Sequence, residues 1–362
     1  RRSSSAASDV YKRQLLYISF ISQTSGRIER QFQLDKSIKK SKDIVKNIFE
    51  ITYELFRIMI PTLIIVKILQ ELGFVDILNN LLSPLMFLVG LPEEIGIVVT
   101  TTILTSPYTG LAVLAGLPLE NGLTSAQASV LGLLILFAHS LPIEALICRR
   151  AGVRIRATIF VRLILGFLFC VMLHQFLNAT NLLSSQATII IPFSEPSPIL
   201  LDWVFNQIKT LFIIFIIIVL IVILIEIFKY IGIQRLIELS LKPFLNLIGV
   251  GERASTIAVV GVTLGIGFGG GLLIQEVKSG KIKYKDVFGV ITLIGMLHSV
   301  IEDTGLVSLM GANIFITLLL RCILTLLCVY LILKIFSNYS EDFWKKYLVN
   351  ENIPKQSYGN IS

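Results

Sequence analysis

The sequence is short of charge. Asp, Glu, Lys and Arg make up only 15% of its 362 residues, against 54% hydrophobic, a balance that a soluble core cannot absorb. Cysteine is also scarce. Cys148, Cys170, Cys322 and Cys328 all fall inside apolar segments with no CxxC pair, so neither a disulfide framework nor a cysteine metal site is expected, and they read as small core hydrophobes. No GxxxxGK[ST] motif is present, which removes a P-loop nucleotide site. The net charge of +8 does not describe a nucleic-acid surface, because Lys and Arg sit in short segments between apolar runs rather than along one face. No cofactor and no metal ligand set is implied by spacing.

What remains is a membrane chain. Leu211 to Ile225 is an unbroken apolar run inside a stretch long enough for a hydrocarbon core that needs about 20 residues. Segments with spanning potential lie at about 49–70, 74–91, 95–117, 126–148, 157–178, 203–229, 233–249, 255–275, 286–307 and 313–336. The two beginning at Phe74 and Ile233 are short enough to be re-entrant or interfacial. Residues 1–14 begin without Met and resemble adaptor-derived sequence, so they are set aside. Residues 15–21 read as the stump of an upstream helix, and the native protein is expected to be longer.

Sliding the chain on itself exposes a repeat at an offset of 159 residues (His298 minus His139). The offset pairs Gly73 with Gly232, Pro84 with Pro243, Gly90 with Gly249, Glu93 with Glu252, Gly110 with Gly269, Ser140 with Ser299, Gly152 with Gly311 and Arg162 with Arg321. Apolar bias alone would not align such residues. The organisation is therefore an N-terminal segment (1–44), repeat 1 (45–178), an external linker (179–202), repeat 2 (203–337) and a tail (338–362). Loop charges set the relation between the copies. The loop 118–126 carries no Lys or Arg while its counterpart 277–285 is basic, and the basic 149–156 corresponds to the neutral 308–315. Because basic short loops mark the cytoplasm, the expected fold is an all-α polytopic bundle of two inverted-topology repeats, with both termini cytoplasmic in a prokaryotic cell membrane. Each repeat then needs an odd number of crossings: five spans, or three plus a re-entrant pair.

Two constellations carry chemistry. Each copy has a broken helix, Thr100 to Gly116 with Thr105, Ser106, Pro107, Tyr108 and Gly110, and Gly261 to Gly271 with Gly267, Gly269 and Gly270. Such breaks free backbone groups to hold a solute, although small residues also serve tight packing. The second constellation is His139, Ser140 and Glu144, matched by His298, Ser299, Glu302 and Asp303, in apolar surroundings where ionisable groups are costly. Roles in hydrogen bonding to substrate, in proton or cation coupling and in metal coordination stay open. Glu144 and Arg162 flank Gly152 at spacings that give them similar depth in a hairpin, and Asp303 and Arg321 flank Gly311 likewise, so structural pairs Glu144–Arg162 and Asp303 or Glu302–Arg321 are expected. The binding element is expected at Thr105, Ser106, Tyr108, Gly110, His139, Ser140, Gly267, Gly269, Gly270, His298, Ser299 and Glu302. His139 and Ser140 are adjacent and point about 100 degrees apart on a helix, poor geometry for a nucleophile and its base, so no enzyme is expected.

The segment GFVDILNNLLSPLMFLVGLPEE and its copy GIQRLIELSLKPFLNLIGVGER, each followed by a broken helix, resemble the nucleoside-recognition or Gate domain family, which is similar to spore maturation membrane proteins, the Gate regions of ferrous-iron transporters and the core of concentrative nucleoside transporters. The resemblance implies transport of an unassigned small polar solute or ion, nucleosides included. The other implied role is a non-transporting membrane subunit of a larger assembly. The implied partners are the lipid bilayer, the solute, and either a second copy or a membrane partner subunit. The acid-rich hairpins of concentrative nucleoside transporters and a GTP-binding domain are missing from the residues read.

Overall fold

The computed structural model describes residues 39–117, 119, 122–190, 199–247, 250–278 and 282–349. Most of the 1–44 segment, the linker at 191–198, Gly249, the centre of the basic loop at 279–281 and the tail beyond 349 lie outside the described residues. Two units are distinguished: residues up to Glu54, where the start of helix α1 carries a Lys46–Glu50 ion pair, and Leu55–Ser362, which holds the elements below.

The described residues form helices, with isolated bridges and no strand. Helix α1 (Lys39–Glu71) ends in a 93° bend into α2 (Phe74–Leu88). Two short helices, α3 (Ile95–Leu104) and α4 (Pro107–Ala115), lead to α5 (Ser125–Ala138) and α6 (Leu141–Arg150), which are interrupted only at His139–Ser140. A continuous rod follows from Ile155 to Thr180, made of α7 (Ile155–Ile159), a π-helical stretch (Phe160–Leu165) and α8 (Gly166–Thr180). The order then recurs: α9 (Leu200–Ile231), α10 (Ile233–Leu247), α11 (Glu252–Leu264), α12 (Ile266–Lys278), α13 (Tyr284–Leu297), α14 (Val300–Ser308) and, after a π-helical stretch (Phe315–Leu320), α15 (Arg321–Ile335). The tail adds α16 (Glu341–Phe343), which runs into a last π-helical turn. Backbone specials obey the same offset: Gly73 and Gly232, Ser140 and Ser299, and Gly152 and Gly311 all adopt positive φ.

Among the described residues, five helices are long and apolar enough to cross a membrane (Ser125–Arg150, Ile155–Thr180, Leu200–Ile231, Tyr284–Ser308 and Phe315–Ile335), and the bent α1–α2 pair makes a sixth candidate. The ten candidate segments are thereby corrected. Segments 95–117 and 255–275 are not single spans. A ten-residue α3 is about 15 Å long, half the hydrocarbon thickness, and each segment folds back on itself. A Cβ on Gly110 would run into the Thr102 side chain, and one on Gly269 into the Gly261 backbone. Residues eight apart in a straight helix would be about 12 Å apart, so α3–α4 and α11–α12 are tight hairpins whose arms approach at glycine. Their tips are Thr105–Ser106 and Gly265.

The outside of the bundle is apolar and its inside is not. Phe205, Ile208, Phe212, Ile216 and Leu220 on α9, Leu168, Met172 and Phe176 on α8, and Ile323, Leu327 and Leu331 on α15 are exposed at helical spacing, surfaces that only lipid can cover economically. By contrast, α5 is buried on all sides from Ala128 to Ala138, and α13 is buried almost throughout. Chain connections sort the loops onto two ends. Ser125 and Ala126 donate to the Ser185 and Leu183 carbonyls, Ile190 donates to Leu309 O, and Asn313 N donates to Ser129 Oγ, which gathers the loops lacking Lys and Arg. Arg154 donates to the Lys345 and Val349 carbonyls, and the Lys345 ammonium lies 5.0 Å from the Tyr284 ring centre, which gathers the basic ones. Helices α5–α6 therefore run from the neutral end to the basic end, and α13–α14 run the opposite way.

Gly269→Ala should force the α11–α12 arms apart and cost about 1–3 kcal/mol of stability, whereas Gly271→Ala, where a Cβ meets open space, should be neutral or slightly stabilising. Thermal unfolding of the purified variants in detergent checks this, and equal melting temperatures would remove the close hairpin.

Candidate functional site

Two helices break at mid-length for the same local reason. His139 and His298 are extended, with ψ of 155 and 164, and the serine after each is left-handed, with φ of 51 and 46. A proline at the start of α6 reinforces the first break. Each break strands helical carbonyls far from water, where every unpaired backbone group costs several kcal/mol. An arginine from the next rod fills each gap. Arg162 Nε donates to Phe137 O at 2.9 Å and Nη2 to His139 O at 2.9 Å. Arg321 Nε donates to Met296 O at 2.9 Å and Nη2 to His298 O at 3.2 Å. Both guanidinium groups are fully buried.

The carboxylates behave differently in the two copies. Arg162 Nη1 donates to Glu144 Oε2 in a buried ion pair. The pair expected for Arg321 with Asp303 or Glu302 is not formed within 4 Å: Arg321 Nη1 and Asp303 Oδ2 have no hydrogen-bond partner among the described residues, and Glu302 Oε1 instead accepts from Tyr108 Oη at 2.9 Å. The reason is one methylene. Asp303 occupies the place of Glu144 but is too short to reach the guanidinium, so its carboxylate turns inward, 3.7 Å from His139 Nε2.

At the centre the two histidines meet. Their Nε2 atoms are 3.0 Å apart, and each Nδ1 lies 3.0 Å from a carbonyl, Ile135 O or Ile294 O. A carbonyl can only accept, so each Nδ1 carries the proton. Glu144 Oε1 stands 3.4 Å from His139 Nε2 and 3.2 Å from His298 Nε2. The side chains of His139, His298, Glu144 and Asp303 are all buried. The first hairpin is anchored to this centre, since Ser140 N donates to Thr102 O at 3.1 Å and Ser140 Oγ to Thr105 O at 2.7 Å. The second hairpin tip is equally near its own break, because a Cβ on Gly265 would lie 3.2 Å from Ser299 Oγ.

The chain is a multi-pass membrane protein. It is 24% identical over 281 residues, 75% of this chain and 87% of the other, to an uncharacterized membrane protein, YvoD, of Bacillus subtilis (strain 168). No family model and no solved structure matches it.

Of the residues expected to bind solute, His139, His298, Ser140 and Ser299 lie at the two breaks. Tyr108 and Glu302 meet each other across the repeats, and Ser106 caps α4 by accepting from Thr109 N. Thr105 supplies a carbonyl to Ser140. Gly110 and Gly269 sit in helix contacts, and Gly270 faces Ile147 of α6; Gly267 lies within α12. Thr102, whose carbonyl ties hairpin to break, lies in the broken segment expected from the sequence but not among the residues expected to bind solute, and Asp286, which is buried and accepts from Gly251 N, was overlooked. Asp286 stands at the offset from Gln127, whose Nε2 donates to Gly90 O, so the repeat held the signal.

Removing the Glu144 carboxylate leaves a buried guanidinium uncompensated, and Glu144→Ala should cost about 3–5 kcal/mol. Asp303→Asn breaks no hydrogen bond at Oδ2 and should cost much less. Unfolding in detergent ranks the two, and the reverse order would contradict the asymmetry.

Proposed function

We propose that this chain is a transport protein of the nucleoside-recognition or Gate type, in which two inverted repeats move a small polar solute or ion past the His139–His298 centre. The observation that carries the reading is the meeting of two hairpin tips and two helix breaks around buried ionisable groups: Ser140 holds the first tip and Ser299 faces the second. Non-helical backbone at depth is tolerated where protein or water covers it, and paired broken helices at the midplane are a transporter device. Three candidate crossings per copy, the bent α1–α2 pair, α5–α6 and α7–α8 against α9, α13–α14 and α15, match the odd crossing number that inversion requires. The hairpins then enter from opposite ends. In this reading the basic end lies in the cytoplasm with both termini, as the loop charges favour.

The same geometry disfavours an intramembrane hydrolase. Ser140 Oγ donates to Thr105 O and is not bonded to His139, whose nitrogens face Ile135 O and His298.

Two measurements bear on this. An impermeant maleimide applied to intact bacterial cells should label Asn181→Cys, and should label Arg156→Cys only after permeabilisation; the opposite pattern would reverse the orientation, and labelling of both from outside would remove the two-sided arrangement. Proteoliposomes should take up at least one of uridine, adenosine, a divalent cation or an inorganic anion, with a rate falling at least about tenfold in a His139→Ala, His298→Ala double variant. A folded protein that moves none of these would be better described as a subunit of a membrane assembly.

A further inference from the structure

Two imidazoles whose Nδ1 atoms are both protonated present bare Nε2 lone pairs to each other, and here those atoms are 3.0 Å apart. Such an approach is repulsive until something positive lies between or beside the nitrogens. Asp303 Oδ2 points at the same spot. Asp303 is 6% exposed and this oxygen has no hydrogen-bond partner among the described residues, an expensive condition for a buried carboxylate oxygen. We propose that His139, His298 and Asp303 form a binding site for one divalent transition-metal ion.

The donor set fits that class. Ligand atoms of the three residues lie within 4.8 Å of one another, and the spacing of the two nitrogens suits a pair of ligands each about 2.0–2.1 Å from one ion. Two imidazoles and one carboxylate select zinc-like ions over calcium or magnesium, which take oxygen ligands. The Ile135 and Ile294 carbonyls fix each ring through Nδ1, the outer-shell arrangement that orients metal-binding histidines. Charge is compatible. Glu144 on α6 is paired with Arg162, Asp303 and Glu302 lie on α14, and Arg321 comes from the second flanking rod, so three buried or half-buried carboxylates accompany two guanidinium groups, and Tyr108 on α4 adds a hydroxyl bonded to Glu302. The balance is one negative charge. Glu144 is held by Arg162, which leaves Asp303 as the carboxylate free to move onto an ion.

This deepens the transport reading by naming an ion class, yet binding can be measured without transport. The full chain is purified in detergent, stripped with a chelator and titrated with Co(II) and with Zn(II). We expect one equivalent bound per chain, with Co(II) giving visible ligand-field absorption and X-ray absorption showing nitrogen and oxygen neighbours. Asp303→Asn should weaken affinity at least about tenfold, the double variant His139→Ala, His298→Ala should abolish it, and His174→Ala, at the remaining histidine, should leave it unchanged. Melting temperatures identify any variant that has lost its fold, and Asp303→Asn, close in shape to the parent residue, then decides alone. Failure of the wild type to bind a stoichiometric ion would overturn the proposal. So would unchanged binding in a folded double variant, or nitrogen NMR showing one proton shared between the Nε2 atoms in the presence of excess metal. A failed topology or flux experiment leaves the titration untouched, so the two readings can fall separately.

Discussion

The constraint on which the rest of this structure depends is the demand for hydrogen bonds at the stranded carbonyls of α5 and α13. A helix that stops in the middle of a hydrocarbon layer has no water to donate to the carbonyls of its last turn. Arg162 and Arg321 meet that demand with rigid, multi-donor guanidinium groups, which a lysine could not reproduce in the same fork. Each arginine comes from the helix that follows the broken one, so it both closes the break and clamps two rods together. π-Helical stretches enclose Arg162 and immediately precede Arg321, a local widening of the kind found where a side chain is re-aimed.

From that repair the other polar contacts follow. Two buried guanidinium groups need counter-charge, which places acids one turn into α6 and α14. The breaks also present a serine in a left-handed conformation, and Ser140 uses its amide and hydroxyl to hold the carbonyls of Thr102 and Thr105. The hairpin tip is thus fixed to the break by backbone chemistry that needs no particular side chain on the hairpin. Glycine at 110 and 269 then allows the second arm of each hairpin to close against the first.

Much of this was legible in the sequence because it is written twice. A single His-Ser or a single buried Arg would have been ambiguous, but the offset of 159 residues paired the His-Ser doublets and the arginines; the expectation that His139 and Ser140 share one helix is corrected, since the helix stops at His139 and Ser140 is left-handed. The Glu144–Arg162 contact could be anticipated from their spacings of eight and ten residues to Gly152. What could not be read was anything set by chain reversal or by reach. Hydrophobicity treats 95–117 and 255–275 as spans, since a folded hairpin and a straight helix have the same composition. The missing Arg321 pair turned on the difference between Asp and Glu, which periodicity ignores.

That difference is where the two copies stop being equivalent. Had position 303 been a glutamate, the second guanidinium could be satisfied as the first is, and both acids would serve the scaffold. An aspartate keeps the charge at the centre but withholds the contact, leaving a buried oxygen and a buried guanidinium nitrogen each short of a partner. Stability alone has an inexpensive remedy, one added methylene, so the unsatisfied pair is a departure that calls for a role of the kind the proposed ion site would supply. Tyr108 and Glu302 are asymmetric in the same way: their offset partners are Gly267 and Ile143, which cannot form the hydrogen bond. The repeat supplies a symmetric frame, and these departures put the exchangeable polar groups on α14 and on the hairpin arm that faces it.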